Sequence, residues 1–161
     1  MDEEVSLRKA RTKVLRLLTY RPRSRKEVIE YLGRKGFSPE VSETVIKEME
    51  GFGYIDDGRF ATDFIAYRKS RGNGLKRVRY ELQMKGVDQQ VINEKIAENF
   101  DPEEDFNRIK EVLGRREPLQ GEVDQRWVGR QLAFLKRRGF QENLIIKALK
   151  EYSCSANGLN N

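Results

Sequence analysis

The chain has 161 residues, 37% hydrophobic and 36% charged, with a formal net charge of +6 and a pI near 9.5. That is thin material for one large core, so several small cores coupled by stacking fit it better. It has no histidine and a single cysteine, Cys154, which removes His-centred triads, zinc sites and internal disulfides and suits a reducing cytoplasm. No apolar run approaches the roughly 18 residues of a membrane span, and the start, Met1-Asp2-Glu3-Glu4, is acidic rather than signal-like. A cytoplasmic protein is expected.

In chain order the periodicity is helical. Leu7, Ala10, Val14 and Leu17 share one face, and Pro22 blocks continuation beyond Tyr20. Ser24-Arg25-Lys26-Glu27 is a capping box, in which Ser24 and Glu27 satisfy each other's free backbone donors. The helix it opens turns Val28, Ile29 and Leu32 inward and stops at Gly36, a residue able to take the left-handed C′ conformation. Ser38-Pro39 starts a third helix with Val41, Val45, Ile46 and Met49 on its apolar face. Asp56 or Asp57 caps the next, which bears Phe60, Phe64 and Ile65 and ends at Gly72-Asn73-Gly74. Val78 and Leu82 lie on the helix that reaches Gly86, and Asp88 caps one with Val91, Ile92 and Ile96. Asp101-Pro102-Glu103-Glu104 opens a helix with Phe106, Ile109 and Leu113, and a polar connection runs from Arg115 to Glu122. Trp127, Val128, Leu132 and Leu135 precede Gly139, and Leu144, Ile145, Ala148 and Leu149 mark the last helix. Ser153 to Asn161 has no period and is expected to be disordered. Trp127 and the phenylalanines are expected in the core, with Tyr80 packed between repeats.

Gly36, Gly86 and Gly139 lie 50 and 53 residues apart, each four positions after a leucine (Leu32, Leu82, Leu135) and five before an aliphatic (Val41, Val91, Leu144). A period near fifty marks a tandem array of one small unit. The expected fold is all-α, with three three-helix repeats over 1–54, 55–100 and 101–152, followed by the tail over 153–161.

Two segments narrow the reading. Asp56-Asp57-Gly58-Arg59-Phe60-Ala61 is followed by Arg71-Gly72-Asn73-Gly74, and then by Tyr80-Glu81-Leu82-Gln83-Met84-Lys85-Gly86-Val87. This resembles the signature of the RecX family of RecA regulators, with Asp56, Asp57, Phe60, Gly74, Leu82 and Gly86 at its spacing and Gly36 and Gly139 at equivalent turns of the flanking repeats. Gly58 departs from it, standing where the family usually has a better helix former. The resemblance implies an elongated, curved array of three repeats. It also implies a monomer that lodges in the groove of the RecA filament on single-stranded DNA, limits its extension and damps its ATPase, strand-exchange and coprotease activities.

Two basic runs carry no acid. Val5 to Lys26 holds nine Lys/Arg, and Arg68 to Tyr80 holds six: Arg68, Lys69, Arg71, Lys76, Arg77 and Arg79. A charge run is by default a solvated helix face. The second run surrounds Gly72 and Gly74, where bare backbone admits close approach, and would favour phosphates or a carboxylate-rich surface. Arg68, Arg71, Lys76, Arg77 and Arg79 are therefore the expected contact, extended along one face by Arg21, Arg23 and Arg25. Direct nucleic-acid binding should be weak and non-specific.

Asp56-Asp57 lacks a third ligand and reads as a cap rather than a metal site. With no phosphate-loop motif, no histidine to activate Cys154, and Glu103-Glu104-Asp105 placed in a helix's first turn, no enzyme, cofactor or metal is expected. Two rivals remain. A winged-helix DNA-binding regulator would need a β-hairpin after Ile55, where the period is helical instead. A helical-repeat adaptor would differ only in its partner.

Overall fold

The computed structural model describes residues 2–118 and 123–158, and part of the Arg115–Glu122 connection lies outside them. Among the described residues the chain forms α1 (Glu3–Tyr20), α2 (Arg25–Arg34), α3 (Pro39–Gly51), α4 (Asp57–Ser70), α5 (Leu75–Met84), α6 (Gln89–Asn99), α7 (Pro102–Gly114), α8 (Gln125–Arg138) and α9 (Glu142–Gly158). They fall into threes along the sequence, with no strand among the described residues. Residues 57–70 are helix where a winged helix would turn a hairpin.

The helix starts follow local capping chemistry. Ser24 accepts from Glu27 N while the Glu27 carboxylate accepts from Ser24 N, Ser38 accepts from Val41 N, and Asp101 and Asp124 accept from Glu103 N and Trp127 N. Asp56 accepts from Arg59 N at 3.0 Å. Asp57 instead reaches the first turn of α2, accepting from Arg25 N at 2.8 Å. The two carboxylates thus serve different helices.

By compactness the chain divides into residues 1–64 with 81–95, and 65–80 with 96–161. In the first unit Ala10 and Val14 of α1 meet Val28 and Leu32 of α2, Val41, Val45, Ile46 and Met49 of α3, and Ile55. In the second, Ile109, Leu113, Trp127, Leu135, Phe140, Ile145, Ala148 and Leu149 form the core. Each valine, leucine, isoleucine, phenylalanine or methionine among them, fully buried, contributes about 1.5–3 kcal/mol.

Four expectations fail. Ile29 is 37% exposed, Phe52 72% and Tyr80 61%. Ile29 sits one step off the Val28/Leu32 stripe, and Phe52 is the C-cap residue of α3, beyond its apolar face. The fourth is the described part of the tail: α9 continues through Gly158, and 159–161 lie outside the described residues. Tyr152 stacks on Trp127 at 5.1 Å and Ser153 Oγ donates to Leu149 O. A helix already nucleated extends cheaply even without an apolar stripe.

The fifty-residue period appears physically as a joint made twice. In the first unit, the turn after α5 sits on the first turn of α2. Buried Ser24 donates through Oγ to Lys85 O at 2.6 Å, and Lys85 Nζ reaches Glu27 at 2.7 Å. Gly86 has φ +76°, and a Cβ there would lie 2.6 Å from Lys26 Cβ. In the second unit, the turn after α8 sits on the first turn of α5. Gly74 N and Lys76 N donate to Arg138 O and Gly139 O at 2.7 and 2.9 Å. A Cβ on Gly74 would stand 2.5 Å from Phe140 N, and one on Gly139 would strike the backbone of Arg77. Both joints satisfy carbonyls left over at one helix's C-terminus with donors at another's N-terminus, and opposite dipole ends meet. The corresponding turn after α2 carries Gly36 at φ +84° with nothing within 4 Å of a Cβ.

Two outcomes follow. Gly36→Ala should lose only the left-handed penalty, about 1–2 kcal/mol, whereas Gly139→Ala adds overpacking against backbone and should lose about 3 kcal/mol or more; urea denaturation compares them. Burial alone would raise the Glu27 carboxyl, but Arg21, Lys85 and the Ser24 N–H hold it down, from 4.5 to about 2. Because the folded value is the lower, this stabilisation is full above pH 4.5 and disappears as pH falls through about 2. Glu27→Gln should therefore cost about 1–3 kcal/mol at neutral pH, discounted for partial exposure, with the gap to the parent closing over that acid window in pH-dependent urea melts.

Candidate partner-binding surface

The α4–α5 turn is built before it is charged. Arg108 of α7 donates through Nη2 to Lys69 O and Asn73 O, both at 2.9 Å, and through Nη1 to Asp105 at 2.7 Å. Asp105 is 3% exposed; burial pushes its carboxyl up, and the Arg108 pairing opposes that. Lys69 is spent on Asn99 O at 2.7 Å and Glu104 at 2.9 Å. Buried Asn73 donates to Arg68 O, and Gly72, at φ +81°, completes the bend. The sequence-level signal for this clamp is the Asp105/Arg108 spacing of three, which announces an ion pair but not what Arg108 holds.

On this turn opens a cleft of about 660 Å³ lined by Arg68, Arg71 and Arg77, by Arg115 and Arg116 at the end of α7, and by Phe134 and Arg138 of α8. No carboxylate is among its lining residues. Phe134 lies under two guanidinium groups, Arg116 at 3.9 Å and Arg138 at 5.1 Å from the ring centroid. Arg116 Nε also donates to Gln131 Oε1 at 2.6 Å, and Arg138 Nη1 donates to Arg71 O at 2.9 Å. Guanidinium planes fixed by ring stacking and hydrogen bonds lose little freedom on meeting a carboxylate or phosphate, which they grip bidentately.

Of the residues singled out in the sequence, the cleft gathers Arg68, Arg71 and Arg77. Lys76 and Arg79 do not line it, and Lys76 contributes its backbone N–H to the joint. Arg115, Arg116 and Arg138 were missed, because nothing in a linear charge run signals cations arriving from the end of α7 and from α8. Gly74 makes its close approach to this chain's own Gly139 and Phe140 rather than to a ligand.

Arg21, Arg23 and Arg25 belong to the first unit. Arg21 pairs with Glu27 at 2.8 Å, and Arg25 pairs with Glu43 and, at 2.9 Å, with Glu50. These two have structural acids for partners. Arg23 has a buried Nε with no hydrogen-bond acceptor, and burial, followed by the charge of Arg21, lowers its guanidinium below the usual range.

Comparison with known proteins places the chain. Residues 10–49 match the family model for the RecX first three-helix domain, and residues 56–96 that for the second. Regulatory protein RecX of Mycobacterium ulcerans (strain Agy99) is 35% identical over 144 residues, covering 87% of this chain and 82% of the relative. That of Halorhodospira halophila is 37% identical over 136 residues, covering 84% and 83%. These relatives are named as regulatory proteins, not as enzymes. Among solved structures, the crystal structure of RecX from Lactobacillus salivarius superposes with TM-score 0.79 over 92% of this chain and 97% of that one, at 18% identity. Another, of regulatory protein RecX, gives 0.78 over 92% and 73%, at 22% identity, so both speak to the fold alone. On sequence and fold together, the chain belongs to the RecX family.

Proposed function

We propose that this protein is a non-enzymatic negative modulator of the RecA recombinase. It binds in the groove of the RecA filament on single-stranded DNA, limits filament extension and lowers ATPase, strand-exchange and coprotease activity. Family membership supports the RecA connection. The single observation that carries the contact is the arginine cleft, where six guanidinium groups surround a stacked aromatic with no acid in the lining. A filament offers two matching surfaces, phosphodiesters and carboxylate-rich protein, and fixed guanidinium groups suit either. Arg68, Arg71 and Arg77 make the contact together with Arg115, Arg116 and Arg138, while Arg21 and Arg25 support the fold. The protein acts as a monomer in the cytoplasm. No described helix is long and apolar enough to cross a membrane.

The test is the single-strand-DNA-dependent ATPase of RecA, with this protein well below RecA in concentration and DNA in large excess. Inhibition is expected under those conditions, where masking of DNA is impossible; unchanged ATPase, or inhibition that added DNA relieves, contradicts the proposal. The double variant Arg71→Glu/Arg77→Glu should weaken inhibition at least tenfold with unchanged helicity by circular dichroism. Full-strength inhibition by that variant would move the contact away from the cleft.

A further inference from the structure

A second basic surface lies in the first unit, on residues outside the arginine cleft. We infer that the groove between α1 and the end of α2 binds a single nucleic-acid strand directly, holding phosphates on Arg8, Lys13 and Arg16 and a base against Tyr20.

Helix α1 presents two kinds of basic residue. Arg11 points to α3 and is locked onto the two carboxylate oxygens of Glu48 at 2.6 and 2.8 Å, which is an architectural ion pair. Arg8, Lys13 and Arg16 lie elsewhere around the helix, exposed, along a groove of about 660 Å³ that no carboxylate lines. The basic face runs from Arg8 to Tyr20, twelve residues or about 18 Å at 1.5 Å per residue, room for a few nucleotides. The groove is also lined by Tyr31 of α2 and by Lys35, the C-cap residue of that helix, with Lys35 Nζ 5.6 Å from the Tyr31 ring centroid.

The aromatic members choose the ligand. Tyr31 is half-buried against the core and fixed, whereas Tyr20, at the last turn of α1, is 72% exposed and contributes little to folding. A tyrosine ring beside a cation-lined groove gives a stacking face for an unpaired base and neighbouring charge for its backbone, the pattern of sequence-tolerant single-strand binding. A duplex keeps its bases stacked inside and could use only the cations. A membrane surface would need bulky apolar side chains at the groove mouth, where half-buried Leu17 is the one aliphatic lining residue.

The experiment needs no recombinase, so its failure leaves the proposal about the filament standing, and the reverse holds too. Fluorescence anisotropy of a labelled twenty-nucleotide oligothymidylate is followed with the full chain across a salt series. Lys13→Glu/Arg16→Glu should weaken binding at least tenfold at low salt and flatten the log–log salt slope by about 1.4, roughly 0.7 per lost phosphate contact. Tyr20→Ala should weaken it about five- to a hundredfold, as loss of one stacked base does, and an equivalent duplex should bind the parent less tightly than the single strand. Unchanged affinity in both variants would overturn the inference. So would loss of binding in Arg71→Glu/Arg77→Glu alone, which would put the strand in the other unit. A Tyr20→Ala chain that binds single strand and duplex as the parent does would also overturn it, since the stacking face is what selects a single strand. Since Tyr20 is exposed, its variant still decides the matter if the double charge reversal fails to fold.

Discussion

Where the turn after α8 meets the first turn of α5, two main chains touch with no side chain between them. Gly74 N and Lys76 N donate into Arg138 O and Gly139 O, and neither Gly74 nor Gly139 has room for a Cβ. The requirement differs at the two positions: Gly139 needs a left-handed backbone as well as space, and Gly74 only space. Much of the candidate site depends on this meeting. Arg138 accepts from Gly74 through its carbonyl, donates to Arg71 O through its guanidinium, and lies over Phe134. The joint and the cleft are therefore one piece of geometry, and the charge of the cleft is oriented by backbone hydrogen bonds.

The basic excess of the chain is divided by use. Arg11, Arg21, Arg25, Lys69 and Arg108 face carboxylates or orphan carbonyls and hold helices in place. The arginines of the cleft and the cations of the α1 groove line surfaces without acids. Net charge alone does not make that distinction, since each guanidinium adds the same unit to it. In the first group the partners are often acids from another helix, as Glu48 is for Arg11 and Glu43 and Glu50 are for Arg25.

That division also marks how far the sequence could be read. Caps, helix limits and the turn glycines were readable because their physics acts over three or four residues: Ser24 with Glu27, Ser38 with Val41, and Gly36, Gly86 and Gly139 in left-handed turns. Most of the core followed from periodicity, failing where a residue sat at the edge of its stripe, as with Ile29 and Phe52. The RecX signature was readable as a pattern, but not what Gly74 is for, because its partner lies more than sixty residues away. The same limit hid Arg115, Arg116 and Arg138, and it made Arg25 look available when two acids of α3 already held it. Helix α9 outran its apolar stripe because propagation needs only local hydrogen bonds.

The unit of repetition and the unit of compactness differ in this chain. Helices α4, α5 and α6 each begin in one compact unit and end in the other, at Phe64/Ile65, Tyr80/Glu81 and Lys95/Ile96. The middle triplet therefore has no cohesion of its own to lose separately, and melting either half would unwind three helices that the other half also uses. Excising residues 55–100 would therefore remove parts of both folded units.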